Sequence, residues 1–232
     1  MENRITELEK RVKRISRINL ALTIITAGVL FSFAYQPAKT ADVIRARGLV
    51  IVDSLGRERI LIGAPTPFAR NRVRTDLKRV EKIWGKMFPK EYMNWYKEYN
   101  HQANGIIILD EKGFDKIAIG DPTPDPNIGK RIAPATGIDI NDQLGFERTG
   151  YGLMRVDSTY RIVMGFDSKQ GTEGMYFMLS DDGVNGIGIR DKKKEIFIGK
   201  SPGEYMHKDL KGMFYGLLVK DSSGVRLNSN YR

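Results

Sequence analysis

Residues 48–63 read Gly48-Leu-Val-Ile-Val-Asp53-Ser-Leu-Gly56-Arg-Glu-Arg59-Ile-Leu-Ile-Gly63, and this stretch decides the fold. Four apolar residues run into Asp-x-x-Gly, and after three charged residues a second apolar run closes on Gly63. Asp at the first position of a tight turn and Gly at the fourth are what a hairpin requires. The carboxylate accepts from backbone N–H groups two residues on, and Gly tolerates the positive φ that returns the chain to the sheet.

The pattern returns in register. Gly105 to Gly120 keeps Asp110, Gly113, a cation at Lys116 and the closing Gly; Gly137 to Gly152 keeps Asp142, Gly145 and Arg148; Gly216 opens a further copy with Asp221 and Gly224. Shortened copies centre on Asp157 and Asp191, and another carries Asp181-Asp182-Gly183. The expectation is a mainly β chain of about seven repeated hairpins, a meander or a solenoid-like stack. The aspartates read as turn formers, not as acids or metal ligands, because no second carboxylate or His stands at ligand spacing beside them.

Many of these strands, such as Ile106–Leu109 and Met175–Leu179, are apolar at consecutive positions, where a one-sided meander would alternate. Both faces of the sheet therefore call for cover. The insertion described below, neighbouring copies or another protein could supply it.

The N-terminus has a different character. Ile5, Leu8, Val12 and Ile15 begin a three-four spacing that continues through Asn19, Leu22, Thr26 and Val29, the seam of a coiled coil. Arg4-Ile5-Thr6-Glu7-Leu8-Glu9 is similar to a short motif that favours three strands, and docking onto a partner's helix is the competing use of the seam. Ile18 to Tyr35 then carries no charge, about the minimum for a transmembrane helix. Basic residues precede it, so residues 1–17 are expected in the cytoplasm, 18–36 in the lipid with Tyr35 at the outer interface, 37–47 as a connector, and 48–232 as an extracytoplasmic domain at a bacterial plasma membrane. A cleaved secretory signal is the rival reading, disfavoured by the long apolar run and the seam that enters it.

Between the first two hairpins lies an insertion, about residues 68–104, that holds both Trp residues and nine Lys/Arg between Ala69 and Asn100. Val73, Leu77, Val80 and Trp84 recur at helical spacing from Asn71 and predict an amphipathic helix of about four turns, ended by Pro89. An aromatic-rich turn, Tyr92 to Tyr99, follows. Arg70, Arg72, Arg74, Trp84, Tyr92, Trp95 and Tyr96 are the candidate interaction residues. They could cover the sheet or a neighbouring copy, grip a different partner, or lie in the lipid interface.

The net charge of +10 invites an anionic partner. The excess sits in the N-terminal segment and the insertion, so the hairpins are near neutral and nucleic acid is disfavoured. No Cys is present, and His101 and His207 read as solvated linker residues. Asp121, Asp125 and Asn127 form a Pro-rich loop without the ligand set of a calcium site. No catalytic, cofactor-binding or metal-binding constellation stands out.

A membrane anchor followed by units of the form IVDxxGxxR, then Leu and Gly, resembles a group of uncharacterised bacterial membrane-anchored proteins. The matching residues are Ile51-Val52-Asp53, Gly56, Arg59, Leu61 and Gly63. The resemblance covers the anchor and roughly half the ectodomain, and implies fold and location only. Three functions are compatible with the whole: a non-enzymatic membrane-anchored subunit that assembles with itself or within a larger membrane complex; a module that binds an anionic glycan or lipid headgroup through the insertion; and, third, a hydrolase built on scattered carboxylates.

Overall fold

A computed structural model describes residues 2–34, 43–124, 135–156, 158–169, 171–203, 207, 210 and 212–230. The expected positions of Tyr35, Asp125, Asn127 and Asp157 lie outside these residues. The chain divides into two units, Met1–Arg45 and Ala46–Arg232.

The first unit is one helix, α1, Glu2–Ala34, long and apolar enough to cross a membrane. Its seam residues Ile5, Leu8, Val12 and Ile15 are exposed. Within its uncharged part, the hydroxyls of Thr23, Thr26 and Ser32 donate to the carbonyls of Asn19, Leu22 and Gly28 at 2.7–2.9 Å. Such back-bonding satisfies polar side chains inside the helix, as a lipid environment demands.

The second unit is a twelve-stranded antiparallel meander in which every strand pairs with its sequence neighbours. The strands are β1 Gly48–Val52, β2 Glu58–Gly63, β3 Gly105–Leu109, β4 Asp115–Gly120, β5 Ala135–Asn141, β6 Glu147–Val156, β7 Thr159–Asp167, β8 Glu173–Ser180, β9 Asn185–Asp191, β10 Lys194–Ser201, β11 Phe214–Asp221 and β12 Gly224–Asn230. The mainly β fold expected from the repeats is thus present as a single meander.

The turn chemistry is the one the repeat requires. Asp53 Oδ1 accepts the N–H groups of Leu55 and Arg57; Asp110 does the same for Lys112 and Phe114, and Asp142 for Leu144 and Phe146. Gly56, Gly113 and Gly145 stand at φ of 75°, 84° and 78°. Desolvation opposes ionisation of Asp53, but the Arg57 N–H and guanidinium and the Leu55 N–H together outweigh it and hold the carboxyl down to about 2. One hairpin escaped the motif: β7–β8 turns through Ser168 to Gly171, with Ser Oγ in place of the carboxylate.

These turns all lie along one edge of the sheet. The opposite edge is marked by glycines in one cross-strand row, Gly48, Gly63, Gly105, Gly120, Gly137 and Gly152, which continues at Gly186, Gly199 and Gly216. Backbones approach closely here. A Cβ on Gly105 would sit 2.0 Å from the Ile119 carbonyl oxygen, and one on Gly137 2.2 Å from that of Tyr151.

The glycine row and its neighbour, Leu61, Ile107, Ala118, Tyr176, Phe197 and Leu218 among them, form the inner face of the sheet. Two segments cover it. The insertion leaves β2 and packs Ala69, Val73, Val80, Trp84, Tyr92, Tyr96 and Ala103 over the first half, against Leu61, Ile107, Leu109 and Phe114. The linker between β10 and β11 packs Leu210 and Phe214 over the second half, against Tyr176, Phe197 and Leu218.

The insertion is not the single long helix its periodicity predicts. Val73–Thr75 forms a 3-10 turn, and helix α2 covers only Leu77–Ile83. Asp76 intervenes in extended conformation and caps α2, accepting from the N–H groups of Lys78 and Arg79. Helix α3, Tyr92–Glu98, follows the break at Pro89.

Candidate functional site: the uncovered face

The opposite face of the meander carries two cross-strand rows. The first runs from Leu49 through Ile62, Ile106, Ile119 and Ile138, and on to Ile198 and Leu217. The second runs from Ile51 through Ile60, Ile108, Ile117 and Ile140, and on to Ile196, Val219 and Leu227. Across all twelve strands the only polar members of the two rows besides the Tyr151 hydroxyl are Thr149 and Ser229. None is charged, in a chain where 28% of residues are.

The strip is two side chains wide on β10, where the outward residues are Lys194, Ile196, Ile198 and Lys200, all exposed, and a lysine bounds it on each side. On β6 to β8 it widens to three, with Leu153, Ile162 and Leu179 as a further exposed row. Twelve strands at about 4.8 Å give a length of about 55 Å. With a width of about 10 Å, its plan area is already at the upper end of the roughly 300–600 Å² that the largest patch on a soluble monomer reaches. Ile119, Ile138, Ile140, Ile189, Ile196 and Ile198 are between 36% and 55% exposed, and covering each would add on the order of 1 kcal/mol.

The sequence anticipated two apolar faces; it did not say which one the chain covers itself. The expected interaction residues answer that. Arg72, Arg74, Trp84, Tyr92 and Tyr96 are buried against the inner face, while Arg70 and Trp95 are exposed. Arg72 forms a fork with Asp115, Nε to Oδ1 at 2.8 Å and Nη2 to Oδ2 at 2.5 Å, and also donates to the His101 carbonyl. Burial would raise the Asp115 carboxyl, but the Arg72 guanidinium outweighs it and holds the group below the usual carboxylate range. Trp84 Nε1 donates to the Leu144 carbonyl, which pins the insertion to the β5–β6 turn.

The histidines are not solvated, which corrects the sequence reading. Arg74 Nε donates to His101 Nδ1 at 3.0 Å, so Nε2 carries the proton and donates to the Tyr96 carbonyl at 2.8 Å. Burial first, then the adjacent Arg74 cation, push this imidazole down to about 3. His207 is 1% exposed, its ring tilted at 45° against that of Phe197, with Nδ1 at 3.0 Å from Ser201 Oγ. The partners of both lie on strands or in loops that spacing alone could not connect.

Ser201, His207 and Glu195 invite comparison with a nucleophile triad. Ser201 is wholly buried and Glu195 Oε2 stands 3.9 Å from His207 Nε2, too far for a hydrogen bond. Glu195 instead takes Arg190 and Lys220 at 2.8 Å each and the Tyr176 hydroxyl at 3.0 Å. Burial opposes its ionisation, but the nearby His207, Lys220 and Arg190 together hold the carboxyl well below its ordinary value. The cluster is a polar knot inside the core, without the exposed nucleophile that acyl transfer needs.

Between the two covered halves, the inner face opens a cleft of about 200 Å³ floored by Gly137, Gly150, Gly152 and Gly165 and lined by Asp139, Glu147, Asp167 and Glu173. Burial raises Glu173, against the opposing pull of Arg190. Among the described residues no group of three His, Asp or Glu side chains converges as metal ligands do.

No family model, curated protein or solved structure matches this chain.

Proposed function

We propose that the chain is a non-enzymatic, membrane-anchored structural subunit that assembles with itself through the outward face of its β body. Helix α1 serves as the anchor and as an oligomer seam at a bacterial plasma membrane, and the sheet stands on the extracytoplasmic side. The observation that carries this reading is the uncharged strip across twelve strands, left bare in the single chain. Apolar surface of that extent favours association over solvation. The exposed Ile5, Leu8, Val12 and Ile15 supply a second associating element in the same chain. Burial of Trp84, Tyr92 and Tyr96 together with Arg72 and Arg74 within their own domain supports a scaffold over the alternative of an anionic-ligand module.

The test is the mass of the full chain extracted in mild detergent. An oligomer that Ile119→Lys or Ile198→Lys dissociates, with the β content unchanged by circular dichroism, is the expected result. A monomer at micromolar concentration would end the proposal. Protease access to a C-terminal tag in intact and opened cells tests the orientation separately.

A further inference from the structure

Building on the self-assembly reading above, we infer that the occupant of the strip is two further copies of this chain. The three stand parallel around one axis, the same strand of each at the same level, and their strips close into a three-sided apolar core.

The width of the strip decides the number. Two face-to-face sheets lie about 10 Å apart, so each side chain fills a depth of about 5 Å. A pair of strips only two or three residues wide would meet in that way with both long flanks open to water. Three strips set as the walls of a triangular prism leave no flank. If each wall stands about 5 Å from the axis, its side is about 17 Å, or about five residues of strand with two or three of them facing inward. β1 to β4, at five or six residues, match this side, and the longer β5 to β12 run on past the corners. In β10, the pair Ile196 and Ile198 would fill the wall while Lys194 and Lys200 fall at the corners, where water reaches them.

Symmetry decides the direction. Three identical copies closed around one three-fold axis all run parallel, which sets each strand beside its own counterparts. Parallel symmetry also brings the polar members of the strip together: Thr149 and Tyr151 are both on β6, so the three Tyr151 hydroxyls meet at one level and can bond one another instead of facing isoleucine. A lipid surface is the poorer occupant, because neither Trp lies in the rows and their aromatic members, Tyr151, Phe166 and Phe177, sit in mid-strip and not along a rim.

The chain lacks Cys, so single cysteines report contacts without background. Full chains carrying Ile62→Cys on β2 or Leu217→Cys on β11 are purified in mild detergent and treated with a short bifunctional maleimide, each alone and after co-expression of the two. The expected result is a protein mass of three times 26.3 kDa by light scattering, with each variant linking to itself and no Ile62→Cys to Leu217→Cys product. A two-copy mass, any other copy number, or a β2–β11 link would overturn the closed parallel trimer while leaving self-assembly standing. A one-copy mass for the unmodified chain would remove both. Ile138→Cys, placed mid-strip, guards against loss of folding at the sheet ends and is expected to link to itself equally.

Discussion

The two faces of one sheet have been built by opposite rules. On the inner face, large side chains alternate with glycine and are met by the insertion and the β10–β11 linker, each held by specific polar contacts: Arg72 to Asp115, Trp84 to the Leu144 carbonyl, His207 to Ser201. On the outer face, two rows carry no charge and are wholly aliphatic on β1 to β5 and β9 to β11, with Thr149, Tyr151, Met164, Phe166, Met175 and Phe177 on β6 to β8. A surface that packs against irregular helices needs different residues at each position. One that meets identical copies of itself can use the same residue at every rung, because symmetry supplies the fit. The uniformity of the outer rows is what separates a surface shaped for a second copy from an ordinary unfinished core.

The sharpest way to break this comparison uses two consecutive residues of β10. Phe197 points inward and is fully buried, while Ile198 points outward and is 55% exposed. Phe197→Ala should cost about 4 kcal/mol of folding stability, because it leaves a cavity under His207 and Phe214. Ile198→Ala should change the unfolding of the dissociated chain by about 1 kcal/mol or less while weakening association. Urea unfolding at two protein concentrations separates the effects: the concentration-dependent part of the midpoint should shift only for Ile198. Equal and concentration-independent losses at both positions would mean that the two faces do not differ in kind.

A second test concerns what fastens the cover to the inner face. Asp115→Asn leaves the Arg72 cation buried without its counter-ion and should destabilise the body by about 3 kcal/mol. Replacing both, Arg72→Met with Asp115→Leu, should recover much of that loss, since a buried ion pair adds little over apolar residues of similar size. Denaturant midpoints of Arg72→Met alone, Asp115→Leu alone and the double variant close the cycle.

The repeat made the meander legible because a turn is a local event. Asp53, Gly56 and their counterparts carry their instructions within five residues, and the register of the copies fixed strand order by itself. What spacing could not supply was partnership over distance. Arg72 and Arg74 look like an outward basic face when seen beside Arg70 and Lys78, yet the carboxylate of Asp115 lies 43 residues on and the ring of His101 27 residues on. Asp76 hid within a helical pattern although an aspartate there can cap as readily as it can solvate, and so α2 proved shorter than its periodicity. The outer strip was half legible: consecutive apolar residues announced two buried faces, and only the pairing of strands shows that one set falls into two straight rows.

Acid offers a third test, because His101 is a member of the covering side only. Its folded pKa is about 3 against an ordinary 6.5, so between these values the unfolded chain binds a proton that the folded chain refuses. Stability contributed by neutral His101 is complete above the unfolded pKa and is lost as pH falls through that window. Between pH 7 and pH 4.5 the loss should be about 2.5 kcal/mol, and His101→Gln should remove it. The difference in unfolding free energy between the two proteins, followed against pH, is the measurement. A difference independent of pH would place His101 in a solvated position. The outer rows hold no titratable group apart from Tyr151, so association through them should be nearly insensitive over the same range.

The smallest effect separates a turn that only turns from one that also seats the cover. Gly56 and Gly113 occupy equivalent places in two hairpins at nearly the same φ, and alanine is strained at either by about 1 kcal/mol. Around Gly56 a Cβ would meet nothing within 4 Å, but at Gly113 it would lie 1.8 Å from the Asn71 carbonyl oxygen, where the insertion crosses the turn and Val73 N–H donates to the Gly113 carbonyl. Gly56→Ala should therefore cost the strain alone, about 1 kcal/mol, and leave hydrogen exchange of the insertion amides unchanged. Gly113→Ala should cost about twice as much and speed exchange at Val73 and along α2, because the insertion must lift to admit the methyl group. Equal costs would imply that the insertion rests on the sheet without being registered by the turn. Faster exchange confined to the insertion would identify β3–β4 as the place where the repeated hairpin has been adapted to hold the one segment that departs from the repeat.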